Sequence, residues 1–156
     1  MKIVKLVILA FAVYIFQSYF VDWISIYHRK PDFLVIYLIF FSLHEGQISG
    51  TIAGFFLGLF QDLLSPSFLG LNVMVKSLTG FGTGYFKLFQ TKPEFLFWFF
   101  IFTWFHDTLY YYFYTLNSQI SFWQMLFRYT IPNTIYTTLI GLIIFLIFFE
   151  KSEETT

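Results

Sequence analysis

Two ionisable residues stand side by side, His106 and Asp107, in the middle of the apolar run from Phe95 to Tyr114. A histidine and a carboxylate in contact can pass a proton, or form part of a metal site. A charged group inside a hydrophobic segment is costly, so such a pair is a candidate functional site by default. A metal would need further ligands, and the other two histidines, His28 and His44, fall in connectors expected on opposite sides of a membrane. Nucleophilic catalysis would need a hydroxyl or thiol beside a base. The chain has no cysteine and neither G-x-S-x-G nor H-E-x-x-H, and "HEGQ" at His44 is half of the second motif at best. No metal, cofactor or catalytic residue is therefore expected, and His106–Asp107 reads as a structural polar pair or an interface contact.

A second polar set lies on two glycine stripes. Gly50, Gly54, Gly58 and Asp62 fall four residues apart, and so do Asn72, Lys76, Gly80 and Gly84. Steps of four stay on one side of a helix, and glycine there lets another backbone approach closely. Whether the stripe meets its own chain or a partner is open at this level. Lys76 stands one turn into a helix, where the positive dipole end disfavours a cation. Either it snorkels to the headgroups or it pairs with Asp62 across the short connection, with Asn72 as the N-cap of that helix.

The elements that must position these residues are set by composition. The chain has 156 residues, 58% hydrophobic and only 12% charged, where soluble domains carry about a quarter. The apolar residues cluster in runs, so the solvent is a bilayer. The 25 Phe read as lipid-facing filler, with Trp23 and Tyr27 at headgroup level. Net charge is zero, with nine basic and nine acidic residues, which gives no sign of a nucleic-acid partner. The expected fold is an all-α membrane protein, a compact bundle of about six transmembrane helices. The spans fall at approximately 3–21, 31–43, 47–64, 72–89, 93–114 and 132–149 in one integral membrane domain. The first is read as an uncleaved helix, because its run ends in Phe16, Tyr19 and Phe20 rather than a small-residue cleavage site. Pro31 and Asp32 suit a helix start, but 31–43 is short for a span. "FWQMLFRYT" (122–130) either lies in the interface or leads into the last helix through a kink at Pro132. Loop lysines favour cytoplasmic termini.

The segment "PDFLVIYLIFFSLHEGQISGTIAGFFLGLFQDLLSPSFLGLNVMVKSLTGFGTGYF" resembles the bacterial rod shape-determining membrane protein MreD family. The resemblance rests on Pro31-Asp32, Gly54 and Gly58, Gln61-Asp62, Gly70 and Asn72, and Gly80 and Gly84, in that order. It implies a non-catalytic inner-membrane component of the cell-elongation machinery. It further implies a bitopic partner, MreC, and a wider assembly with the MreB filament, a SEDS-family glycosyltransferase and a class B penicillin-binding protein. The fold it implies is similar to that of the substrate-binding subunits of energy-coupling-factor vitamin transporters. Such a subunit is the alternative reading, although Ala10 and Ala12 lack the spacing of that group's docking stripe. Lys76, His106 and Asp107 are not part of the family pattern.

Overall fold

A computed structural model describes residues 2–20, 30–64, 69–86, 92–116 and 119–153. Every regular element among them is helical: α1 (Lys2–Phe20), α2 (Phe33–Glu45), α3 (Gln47–Leu64), α4 (Leu71–Tyr85), α5 (Lys92–Thr115), α6 (Phe122–Met125) and α7 (Ile131–Glu153). A π-helical turn, Leu126–Thr130, joins α6 to α7 without a break. The 122–130 segment therefore leads straight into the last helix. Pro132 has no N–H to close an ordinary turn, and just before it the Ile131 N–H reaches back five residues to the Leu126 carbonyl, which is the π spacing. The connector carrying Trp23, Tyr27 and His28 lies outside the described residues.

The molecule is inside-out by the standard of a soluble protein. Phe55, Phe56, Leu63, Leu78, Phe81, Phe97, Leu139, Ile143 and Ile147 face outward, while Asp62, Asn72, Lys76, His106, Asp107, Asn133, Thr134 and Thr137 are buried. Lipid rewards that arrangement and water does not. Small hydroxyls enter the core because each bonds the carbonyl one turn back: Ser42 to Leu38, Thr79 to Val75, Thr83 to Thr79, and Thr103 to Phe99.

The shortest apolar helix, α2, is the central one. Its Leu34 and Leu38 pack with Leu57 of α3 and with Val13 and Tyr14 of α1. Its Val35, Ile36, Ile39 and Leu43 pack with Phe99 and Phe102 of α5, beside Ile140 and Ile144 of α7. A helix covered by protein on both sides is apolar all round and need not match the bilayer thickness. At 13 residues it extends about 20 Å against a hydrocarbon core of about 30 Å. Among the described residues one helix, Phe122–Ile147, is long and apolar enough by itself to cross a membrane. Helix α5 has 24 residues, but its tyrosines and the His106–Asp107 pair dilute its apolar character.

Helices α3 and α4 run antiparallel with their glycine stripes face to face. A Cβ on Gly50 would lie 2.5 Å from the Gly80 carbonyl oxygen, one on Gly54 would overlap the Lys76 carbonyl, and one on Gly58 would lie 2.5 Å from the Asn72 carbonyl oxygen. A Cβ on Gly84 would meet the Gln47 backbone at 2.5 Å, and one on Gly80 would overlap the Gly50 carbonyl. Each step of four along one helix is answered by a step of four back along the other. The question of what the stripe meets has its answer within the chain: the two stripes meet each other, and backbone touches backbone.

Candidate functional site

The ends of α1 and α3 and the starts of α2, α4 and α7 gather at one end of the bundle, alongside the C-terminal half of α5. Asp32 is the N-cap of α2, and its Oδ1 accepts the Val35 N–H at 3.1 Å. That bond satisfies one of the open amides of the first turn and fixes the carboxylate. Its Oδ2 then accepts a bond from Lys76 Nζ at 3.1 Å, and the lysine side chain is fully buried. Lys76 Nζ also lies 3.4 Å from His106 Nε2. An ammonium can only donate, so Nε2 accepts, and the ring proton falls on Nδ1 by assignment from the network. Nδ1 faces Asp107 Oδ1 at 3.1 Å. Asp107 Oδ2 accepts from Asn133 Nδ2 at 3.0 Å and from Thr134 Oγ1 at 2.9 Å. The Asp32 N–H donates to Thr137 Oγ1 at 3.3 Å.

The result is one continuous hydrogen-bonded chain, Asp32–Lys76–His106–Asp107–Asn133/Thr134, that ties α2, α4, α5 and α7 together. Helix α1 joins through Gln17 Oε1, which accepts the Leu34 N–H at 3.1 Å. Below the chain, away from the shared end, the core is aromatic. Phe95 stacks on Phe145 with centroids 4.6 Å apart, and Phe40 meets both Phe95 and Phe99.

Asp62 belongs to a separate set. Its two oxygens accept from the N–H groups of Gly70 (2.9 Å), Asn72 (3.2 Å) and Val73 (3.1 Å) and from Asn72 Nδ2 (2.8 Å). The glycine stripe ends in a carboxylate because the close approach of α3 brings that carboxylate onto the open amides of α4. Two expectations are corrected here. Asp62 does not pair with Lys76, since four donors already occupy it and Lys76 turns to Asp32. Asn72 is not the N-cap of α4 either. Gly70 holds that place with a left-handed φ of 94°, and the capping oxygen comes from another helix.

All ten residues singled out by the sequence are buried. The structure divides them into the α3–α4 seam (Gly50, Gly54, Gly58, Gly80, Gly84), its cap (Asp62, Asn72) and the polar chain (Lys76, His106, Asp107). Sequence reasoning missed Asp32 as an ionic partner, and missed Asn133, Thr134 and Thr137. A signal for the last three exists: the polar residues at 133, 134 and 137 follow Pro132 on one side of a helix start. Among the described residues no three His, Cys, Asp or Glu side chains are grouped to hold a metal ion. What the arrangement does chemically is hold four helices in one register inside a medium that offers no competing donors.

Residues 1–151 fit the family model described as rod shape-determining protein MreD. No curated protein and no solved structure matches the chain.

Proposed function

Because the chain belongs to the MreD family of rod shape-determining membrane proteins, we propose that it is a non-catalytic scaffold of the bacterial cell-elongation complex. In this reading it lies in the inner membrane, crosses it six times with cytoplasmic termini, and binds an MreC-like bitopic protein. Through that partner it supports peptidoglycan synthesis by the wider assembly. The observation that carries the scaffold reading is how the buried polar side chains are used. Asp32, Lys76, His106 and Asp107 bond one another and α7, and Asp62 bonds the start of α4. Groups spent on joining helices rigidify a surface rather than serve turnover. The glycines are likewise consumed by the α3–α4 seam. The partner would therefore meet the outward apolar faces, not the stripe.

The test is recovery of the protein from native membranes in mild detergent. Co-purification of a bitopic protein with a large extracytoplasmic domain is the expected result. Co-purification of ATPase subunits, or of a bound vitamin-sized molecule, would overturn the reading in favour of a transporter subunit.

A further inference from the structure

The π turn between α6 and α7 builds a feature that the scaffold reading leaves unused. Beside it is a hollow of about 360 Å³ lined by Ile120, Gln124, Phe127, Arg128 and Tyr129, within the size range of small-ligand sites. Arg128 is the one charged residue among the five, and its side chain is exposed. Gln124 is held in orientation by its Oε1, which accepts the Ser121 N–H at 3.3 Å. The Tyr129 ring rests against Tyr111, with centroids 5.8 Å apart. Among the described residues, the polar part of the lining thus consists of a guanidinium, an amide and a phenol. The other part, Ile120 and Phe127, is apolar.

The surroundings say at what depth this hollow sits. Phe122, Trp123 and Phe127 are 47%, 64% and 64% exposed, and Trp123 stacks on Phe127 at 6.2 Å. On the neighbouring end of α5, Tyr112 and Tyr114 are also exposed. Exposed Trp and Tyr collect at the headgroup level of a bilayer. Arg128 precedes Asn133 by about one and a half helical turns, roughly 7 Å. It therefore lies beyond the buried polar chain, toward the helix start and the headgroups.

We infer that this hollow binds the phosphate of an anionic phospholipid. The guanidinium is a planar fork matched to phosphate oxygens, and its five N–H groups allow it to bond a headgroup while it keeps contacts within the chain. Gln124 and Tyr129 add neutral donors, and the walls of Ile120 and Phe127 receive the glycerol and the first methylenes of the acyl chains. A free phosphate would gain nothing from those walls, and a zwitterionic headgroup would bring its own cation to the arginine. The inference needs only that the protein resides in a membrane and is independent of which partner it binds.

The experiment compares the full-length protein in nanodiscs of pure phosphatidylcholine with nanodiscs containing 30% phosphatidylglycerol, about one lipid in three, by thermal unfolding. Wild-type protein should unfold several degrees higher with phosphatidylglycerol, and Arg128→Gln should lose more than half of that difference. Lys30→Gln, at an exposed cation at the same end of the bundle but outside the hollow, separates a site from general surface charge and should keep the difference. Wild-type protein indifferent to phosphatidylglycerol would overturn the inference. So would Arg128→Gln retaining most of the difference, or Lys30→Gln losing as much as Arg128→Gln. Both variants change exposed side chains, so each is expected to fold.

Discussion

Lys76 links two carboxylate systems in a place where a lone charge is costly. Its ammonium donates to Asp32 at 3.1 Å and faces His106 at 3.4 Å. Lys76→Met leaves Asp32 Oδ2 without its cation, and Asp32→Asn leaves a buried ammonium without its anion. Each single change is expected to cost about 3–5 kcal/mol, as breaking a buried pair does. The double variant should cost less than the sum by about 1–3 kcal/mol. A double-mutant cycle on unfolding in detergent measures this, and strict additivity would show that the two residues do not interact. Sequence made the polar residues themselves visible, because an ionisable group in an apolar run stands out. It did not reveal the pairing. Asp62 is nearer to Lys76 along the chain than Asp32, which is 44 residues away, and sequence proximity favours the wrong carboxylate. What decides the matter is the set of open amides at the start of α4, which claims Asp62 first. Which helix lies beside that start is a property of packing, not of local pattern.

At the scale of elements, the α3–α4 seam is held at backbone distance, and glycines there differ from glycines elsewhere. A Cβ on Gly54 would collide with the Lys76 carbonyl, which is backbone, whereas a Cβ on Gly82 would meet the edge of the Phe102 ring at 2.8 Å. A ring can turn, but a helix must move as a whole. Gly54→Ala should therefore destabilise by at least the 1–3 kcal/mol typical of overpacking. Gly82→Ala should stay within about 1 kcal/mol of wild type, since alanine also favours the helix by roughly 0.5–1 kcal/mol. Thermal unfolding of the two variants side by side decides it, and equal losses would mean that the seam is not close-packed in solution. The seam was half legible: spacing of four on both helices gave the faces, and only the fold showed that the faces meet each other. The role of α2 was not legible. Its shortness argues for a marginal span, whereas its burial between α1, α3, α5 and α7 makes it the pillar of the bundle.

For the molecule as a whole, the buried ionisable and amide side chains gather toward one end, and the rest of the core is aromatic with hydroxyls bonded within their own helices. A bilayer orientation follows that can be measured directly, because the chain has no cysteine. Cysteines placed at Gln119, before α6, and at His44, at the end of α2, are both exposed. They should react with a membrane-impermeant reagent from opposite sides, Gln119→Cys from outside the cell. Labelling of both from one side would exclude the six-span topology. The link between α2 and α3 also constrains how the protein is made. Gly46 alone separates the two helices, with a φ of 98° and its N–H bonded to the Ser42 carbonyl at 2.9 Å. One residue spans less than about 4 Å of chain, so once both helices have formed neither can shift along the bilayer normal without the other. The short α2 is therefore expected to be held in the bilayer as one hairpin with the longer α3. Nascent chains stalled soon after Gly46 has emerged should leave α2 extractable by alkali, and chains stalled after Leu64 has emerged should hold both helices in the membrane.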